Sequence, residues 1–447
     1  MRRELYEVQR AMRARREAAL KRGVIAVLDV GTAKIACLVL QFVPDETDAP
    51  AEAPDSRPTL RQGAFRVIGA ANTRSRGVAF GEIASMEECE RAIRTAIQGA
   101  QKMANLRVDH VIVSFSGGRP RSYGVTGETE VLNGAVAERD IGHVLAACEI
   151  PDHGHDLEAI HALPVNFCLD SRTGLTDPRG QVGKILAVDM HLLTVGATPL
   201  RNVLHCIRRC DLELAGVVVS SYASGLASLI EDEQELGGAC VDIGAGATGI
   251  SIFVRRQMIF ADAVRMGGGH ITSDICQGLQ VSMQDAERLK TMHGGLVATG
   301  LDDREMIELP SILGDWDHDR RQISRSELIG VMRPRVEEIL EEVRARLDAS
   351  GFEYLPSQRI VLTGGSAQIP GLEMIAQRIL GRQCRVGKPL RVQGLPQSAT
   401  GTAFATAVGL AMHVSHPQDE CWDFEVPADR HGARRVTRAF RWFKENW

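Results

Sequence analysis

Several things are missing from this chain of 447 residues. It has no apolar run near the ~20 residues that span a bilayer. Its basic N-terminus is not followed by an apolar h-region, which argues against export. It contains no G-x-x-x-x-G-K-[ST] loop, so a P-loop nucleotide site is excluded. Ten cysteines are scattered along it, and only Cys206 and Cys210 sit close together, with no second pair to complete a zinc site. Such usage reads as reduced, buried thiols in a cytosolic protein. A basic excess is lacking too: the net charge is −5, which argues against general nucleic-acid binding. At 44% hydrophobic residues the chain is long enough to bury two or more cores.

What is present is a pair of matched hairpins. Cys240–Val254 (CVDIGAGATGISIFV) runs an apolar strand into Asp242, turns at Gly244 and Gly246, adds the Thr248 hydroxyl and leaves along the alternating Ile250, Ile252 and Val254. Such a turn can close backbone amides on an anion while its carboxylate holds a hydrated Mg²⁺. Asp-x-Gly-x-Gly is equally ordinary turn chemistry. The stretch Val24–Leu40 (VIAVLDVGTAKIACLVL) repeats the layout with Asp29, Gly31, Thr32 and Lys34. Two copies predict two similar halves facing one nucleotide. A third element, Ile360–Leu372 (IVLTGGSAQIPGL), ends a buried-type strand in Gly364, Gly365 and Ser366, and Pro370 and Gly371 announce a helix.

These three elements occur in the order seen in the actin, Hsp70 and sugar-kinase superfamily. More narrowly, the chain resembles the bacterial cell-division family FtsA, whose landmarks read here as DVGTAKIACLV, VSSYASGLASLIEDEQELG, GGGHITSDI, AERLK, LTGGSAQIPGL and TAVGLAMH. The resemblance runs from Val24 to the C-terminus and leaves out the loop around Pro44 to Pro58. It implies an α/β, actin-like (ribonuclease H-like) two-lobed ATPase fold with an inserted 1C subdomain and a C-terminal amphipathic helix.

It also implies ATP and Mg²⁺ as cofactors. Gly31, Thr32, Ala33 and Lys34 would meet the phosphates from one half, and Gly244, Ala245, Gly246 and Thr248 from the other. Asp29 and Asp242 would hold Mg²⁺ through its waters. Glu287 and Lys290 would face the ribose and base, with Gly268 nearby and Gly364, Gly365, Ser366 and Gln368 beneath the adenine. Glu287 and Lys290 also have the i, i+3 spacing of a surface helix pair, and Lys34 reads equally as a solvated strand residue. Hydrolysis needs a residue that positions water. Actin uses a Gln and Hsp70 a Glu, whereas Leu214–Ser224 offers neither, leaving only Asp29 and Asp242 for that task. The expectation is tight ATP binding with weak or negligible turnover and no firmly assigned catalytic residue.

The domain organisation expected from the resemblance begins with a basic N-terminal arm (1–23). That arm reads as solvated, or as a weak amphipathic helix through Leu5, Val8, Met12 and Ala19. Subdomain 1A follows (24–107, with a disordered loop at 44–62, and 196–235), interrupted by an SHS2-like subdomain 1C (108–195). Subdomain 2A (236–273 and 333–390) encloses 2B (274–332). A return to 1A (391–413), a flexible linker (414–431) and a membrane-targeting helix (432–447) complete the chain. Met86–Met103 has helical period, with Cys89, Ala92, Ile93, Ala96, Ile97 and Ala100 on one face. Thr272 or Ser273 is the expected cap of the helix after the glycine turn Met266–Gly269 (MGGG). Asp152, His153, His155, Asp156 and His161 lack a spacing that would fix a metal and read as a polar loop.

In RRVTRAFRWFKENW, residues Val436, Phe440, Phe443 and Trp447 fall in a narrow helical stripe flanked by Arg434, Arg435, Arg438, Arg441 and Lys444. That is the pattern of a helix lying in an anionic membrane surface, the alternative being a helix packed on the protein's own core. By resemblance, Arg321, Arg325, Arg335 and Glu338 match positions that receive the C-terminal peptide of the tubulin-like FtsZ. Arg335 and Glu338 also read as an i, i+3 pair. The resemblance as a whole implies an ATP-bound, filament-forming adaptor on the inner face of the cell membrane at midcell. Its partners would be further copies of itself, FtsZ and later divisome membrane proteins. Rival readings are a small-molecule or sugar kinase, which needs a substrate base in its cleft and no membrane tail, and a pilus-assembly relative with a similar insertion. A chaperone of the Hsp70 kind would carry a β-sandwich substrate domain.

Overall fold

The computed structural model describes residues 3–42, 65–148, 156–309 and 321–424. The expected loop at 44–62 and the stripe at 432–447 lie outside the described residues.

Two five-stranded sheets share one topology. The first runs Phe65–Arg74, Lys34–Phe42, Val24–Val30, His110–Phe115, Glu213–Val219; the second runs Gln257–Val264, Thr248–Val254, Gly238–Ile243, Arg359–Thr363, Cys384–Val386. In each, the strand ending at the aspartate pairs antiparallel with its hairpin mate and parallel with a strand arriving from far along the chain. Strands with a parallel neighbour are covered on both faces, which is why Val24–Val30 and Gly238–Ile243 are almost continuously apolar and buried. Each sheet has its own core, one around Val27, Leu38 and Ile112 and the other around Val241, Ile252 and Leu362.

Local patterns made the helices that cover these sheets. Helix Met86–Ala104 buries Cys89, Ala92, Ile93, Ala96, Ile97 and Ala100, the six positions its period selects, and ends on Asn105 in the left-handed conformation. Helix Ser220–Ser228, built mostly of small residues and largely buried, touches strands of both sheets and packs against helix Ala405–Ser415. It is therefore the element common to the two lobes.

The inserted subdomain is a four-stranded sheet in the order Arg121–Glu130, Ile185–Gly196, Leu157–Leu169, Arg172–Leu175, with helix Glu138–Ala147 packed on it. The expected start at residue 108 needs correction. Strand His110–Phe115 pairs with Val24–Val30 and belongs to the first lobe, because an apolar strand just before an insertion carries no local mark of which sheet it joins. In the second lobe the expected boundaries 273/274 and 332/333 fall inside the continuous helices Gly268–Leu279 and Arg325–Ala349.

Three further expectations are corrected. The N-terminal arm is the helix Arg3–Lys21, which buries Met12 and Ala19 against the first lobe and packs on the edge strand Glu213–Val219. The expected flexible linker is docked where it is described: Cys421, Trp422 and Phe424 are buried in the core of the inserted subdomain. His161 is no loop residue; it lies on strand Leu157–Leu169 at 1% exposure.

Candidate functional site

The two hairpin turns close in the same way. The Gly31 amide donates to the Lys34 carbonyl at 3.1 Å, and the Gly244 amide to the Ala247 carbonyl at 3.0 Å. These two amides are thus spent inside their turns rather than offered to a ligand, which corrects their expected role as donors. Helix Gly268–Leu279 abuts the second turn, with the amides of Gly268 and Gly269 donating to the carbonyls of Gly244 and Ala245. Otherwise unsatisfied helix N-terminal donors hold that turn in place.

Between the turns lies a cavity of about 770 Å³. It is lined by Asp29, Gly31, Thr32, Ala33 and Lys34 from the first hairpin and by Asp242, Gly244, Ala245 and Gly246 from the second. Gly268, Glu287, Lys290, Gly364, Gly365, Ser366 and Gln368 close it from the second lobe. Of the expected ligand-facing residues, Thr248 is the exception. It is fully buried and its hydroxyl donates to the Met266 carbonyl at 2.8 Å, since strand alternation turns it away from the cleft.

Each aspartate is held by hydroxyls. Ser114 Oγ donates to Asp29 Oδ1 at 2.7 Å and itself accepts from the Val30 amide. The register Leu28 to Val113 puts serine and aspartate side by side on neighbouring strands. Asp242 accepts from Ser224 Oγ and, at 3.2 Å, from Thr406 Oγ1. Burial raises both carboxyls, Asp29 to about 6, against the Ser114 hydrogen bond and the Lys34 charge that hold it down. Gly364, with φ +90°, passes so close that a Cβ there would stand 2.3 Å from Asp242 Oδ1.

Lys34 is the informative cation. Its Nζ is buried without a hydrogen-bond partner among the described residues and sits 3.1 Å from the centroid of the Phe404 ring. A cation–π contact supplies about 0.5–2 kcal/mol, whereas burying an unpaired ammonium costs several kcal/mol, so desolvation wins. Burial accordingly lowers its pKa to about 8, against the pull of Asp29 and Asp242. The Ser220 and Ser221 hydroxyls line the same cleft and also lack partners among the described residues. An unpaired ammonium, two unpaired hydroxyls and two acids on one cavity fit a metal-bound anion.

At the far end Lys290 Nζ bonds Glu287 at 2.6 Å, Thr272 Oγ1 at 2.8 Å and the Gly268 carbonyl at 3.1 Å. Thr272 therefore sits inside helix Gly268–Leu279 as a bridge, not at its cap, which is Gly267. Sequence reasoning missed Ser114, Ser220, Ser221, Ser224, Thr406 and Phe404 as site residues and named Thr272 only as a cap; tertiary structure places them all. Only the strand register beside Asp29 could have pointed to Ser114.

Outside the cleft, Arg321 donates to the Leu279 carbonyl, and Arg325 to the His293 carbonyl and Asp302. Arg335 pairs with Asp274 at 2.7 Å and with Glu338. These guanidiniums are already engaged within the chain.

A family model described as "Cell division protein FtsA" matches residues 239–409, and one described as "SHS2 domain inserted in FTSA" matches residues 117–194. The cell division protein FtsA of Agrobacterium fabrum is 39% identical over 433 residues, covering 95% of each chain. The chain belongs to the FtsA family. The FtsA of Pseudomonas aeruginosa is 30% identical over 429 residues, 95% of this chain and 98% of that one. Among solved structures, a chain of the PilM-PilN type IV pilus biogenesis complex superposes with a TM-score of 0.57 at 15% identity, over 88% of this chain and 99% of that one. The fold is thus the actin-like two-lobed ATPase fold, and the SHS2 domain of FtsA starts after strand His110–Phe115, as the sheet pairing requires.

Proposed function

We propose that this FtsA-family protein binds ATP with Mg²⁺ in the interlobe cleft and polymerises as an actin-like filament on the inner face of the cytoplasmic membrane. There it tethers the FtsZ ring and recruits later divisome membrane proteins at midcell. The observation that carries the nucleotide reading is the buried Lys34 ammonium, without a hydrogen-bond partner among the described residues, between two aspartates, one from each lobe. Lys34, Ser220 and Ser221 would meet phosphate oxygens. Asp29 and Asp242, fixed by their hydroxyl donors, would hold Mg²⁺ through its waters. The metal when bound supplies positive charge against the phosphates. Glu287, Lys290, Gly268 and the Gly364–Gln368 segment would enclose the nucleoside.

The partner assignments rest on family membership and on sequence. An acidic FtsZ peptide at Arg321, Arg325 and Arg335 would have to compete with Asp302, Asp274 and Glu338 for the guanidiniums. This favours a peptide that supplies apolar contacts as well. The membrane tether is the stripe Val436, Phe440, Phe443 and Trp447 with Arg435, Arg438, Arg441 and Lys444. Identity of 39% to an FtsA, against 15% to the pilus-complex chain, favours division over pilus assembly.

Calorimetric titration of the full chain with ATP, with and without Mg²⁺, tests the cleft. Saturable heat that depends on Mg²⁺ is expected, and no heat on adding ATP removes the nucleotide reading. A fluorescent fusion should form a midcell band that disperses when residues 432–447 are deleted.

A further inference from the structure

The segment Glu420–Phe424 is gripped from two sides. From the N-terminal helix, Arg10 donates to the carbonyls of Trp422 and Phe424 at 3.4 and 3.0 Å, and Arg13 donates to the Asp423 carbonyl and pairs with its carboxylate at 2.7 Å. From the inserted subdomain, Glu420 accepts from the Ala162 amide at 2.9 Å and bonds His161 Nδ1 at 3.0 Å, with both side chains buried.

His161 then reaches inward. The Val219 amide donates to its Nε2 at 3.1 Å, so Nε2 is the acceptor and Nδ1 carries the proton given to Glu420. Val219 opens helix Ser220–Ser228. That helix carries Ser220 and Ser221 into the cleft wall, and Ser224 onto Asp242. The next residue in the helix, Tyr222, packs edge-on against the same imidazole, centroids 5.4 Å apart. One short helix therefore has its start fixed by His161 and its hydroxyls committed to the cleft.

We propose that residues 420–424 are a latch whose docking sets the nucleotide affinity of the cleft. Docked, Glu420 locks the tautomer and orientation of His161, and His161 holds the Val219–Ser221 turn in its ligand-ready position. Undocked, the Nδ1 proton and the Ala162 amide lose their buried acceptor, and the turn loses its anchor. Linkage makes the effect reciprocal: nucleotide in the cleft tightens the latch.

This inference rests on the nucleotide reading of the cleft. In the full chain, Glu420→Gln and Arg13→Ala, the second at a half-buried position of the N-terminal helix, should each weaken binding of Mg²⁺ and a fluorescent ATP analogue by about tenfold. Both should speed hydrogen exchange in residues 417–424, and nucleotide should slow that exchange in the wild type. Faster exchange with wild-type affinity overturns the latch while leaving the cleft intact. Wild-type exchange that ignores a nucleotide shown to bind overturns it equally. A wild type that binds no nucleotide removes the cleft reading, and the latch's role with it.

Discussion

Gly246 of the second hairpin lies directly against Thr32 of the first: a Cβ built on the glycine would stand 2.5 Å from the threonine Oγ1. The two turns, equivalent in their own sheets, pinch one cleft from opposite lobes.

Gly246→Val should therefore prop the turns apart. The valine would meet the Thr32 hydroxyl and the Phe80 backbone, at 3.0 Å from its Cβ, before any ligand enters. ATP affinity should fall at least tenfold, about 1.4 kcal/mol, with the circular dichroism spectrum unchanged. A variant that titrates like the wild type would show that the turns do not converge on the nucleotide.

Nucleotide affinity should depend on pH with two limbs. Asp29, raised to about 6, loses its charge in acid, and Lys34, lowered to about 8, loses its charge in base, so Mg²⁺–ATP should bind best between them. Lys34→Arg should flatten the alkaline limb alone. For stability the signs differ. The Asp29 contribution is present below its ordinary 3.8 and lost as pH rises through about 6. The Lys34 penalty applies below about 8 and is relieved as pH rises towards 10.5. Affinity that stays flat across pH 5 to 9 would contradict these assignments.

Turnover should be slow. Where a water-positioning Gln or Glu is wanted, Val219, Ser220 and Ser221 line the cleft, and a hydroxyl is a poor base. Steady-state phosphate release should run well below about 1 s⁻¹. A faster rate, abolished by Asp242→Asn, would mean that an aspartate positions the water after all.

Replacing Phe440 and Phe443 with Glu should release the full chain from anionic vesicles in a sedimentation assay. Each substitution removes an aromatic ring from the acyl boundary and adds repulsion from the headgroups. Undiminished sedimentation would rule out the tether.

Much of what short-range pattern decides was legible in the linear chain, the cap of helix Gly268–Leu279 being an exception. The two Asp-Gly hairpins, the Gly364–Ser366 turn and the buried face of helix Met86–Ala104 each follow from the spacing of neighbouring residues, and strand and helix periods are local properties. What only the tertiary structure decided were contacts between distant residues: Arg13 on Asp423, His161 between Glu420 and Val219, and Phe404 under Lys34. The same holds for the distant carbonyl, that of Met266, which receives the Thr248 hydroxyl, and for strand His110–Phe115, which joined the first lobe. A period tells that a residue is buried, but which neighbour buries it depends on how separately formed elements pack, and no spacing within one element encodes that.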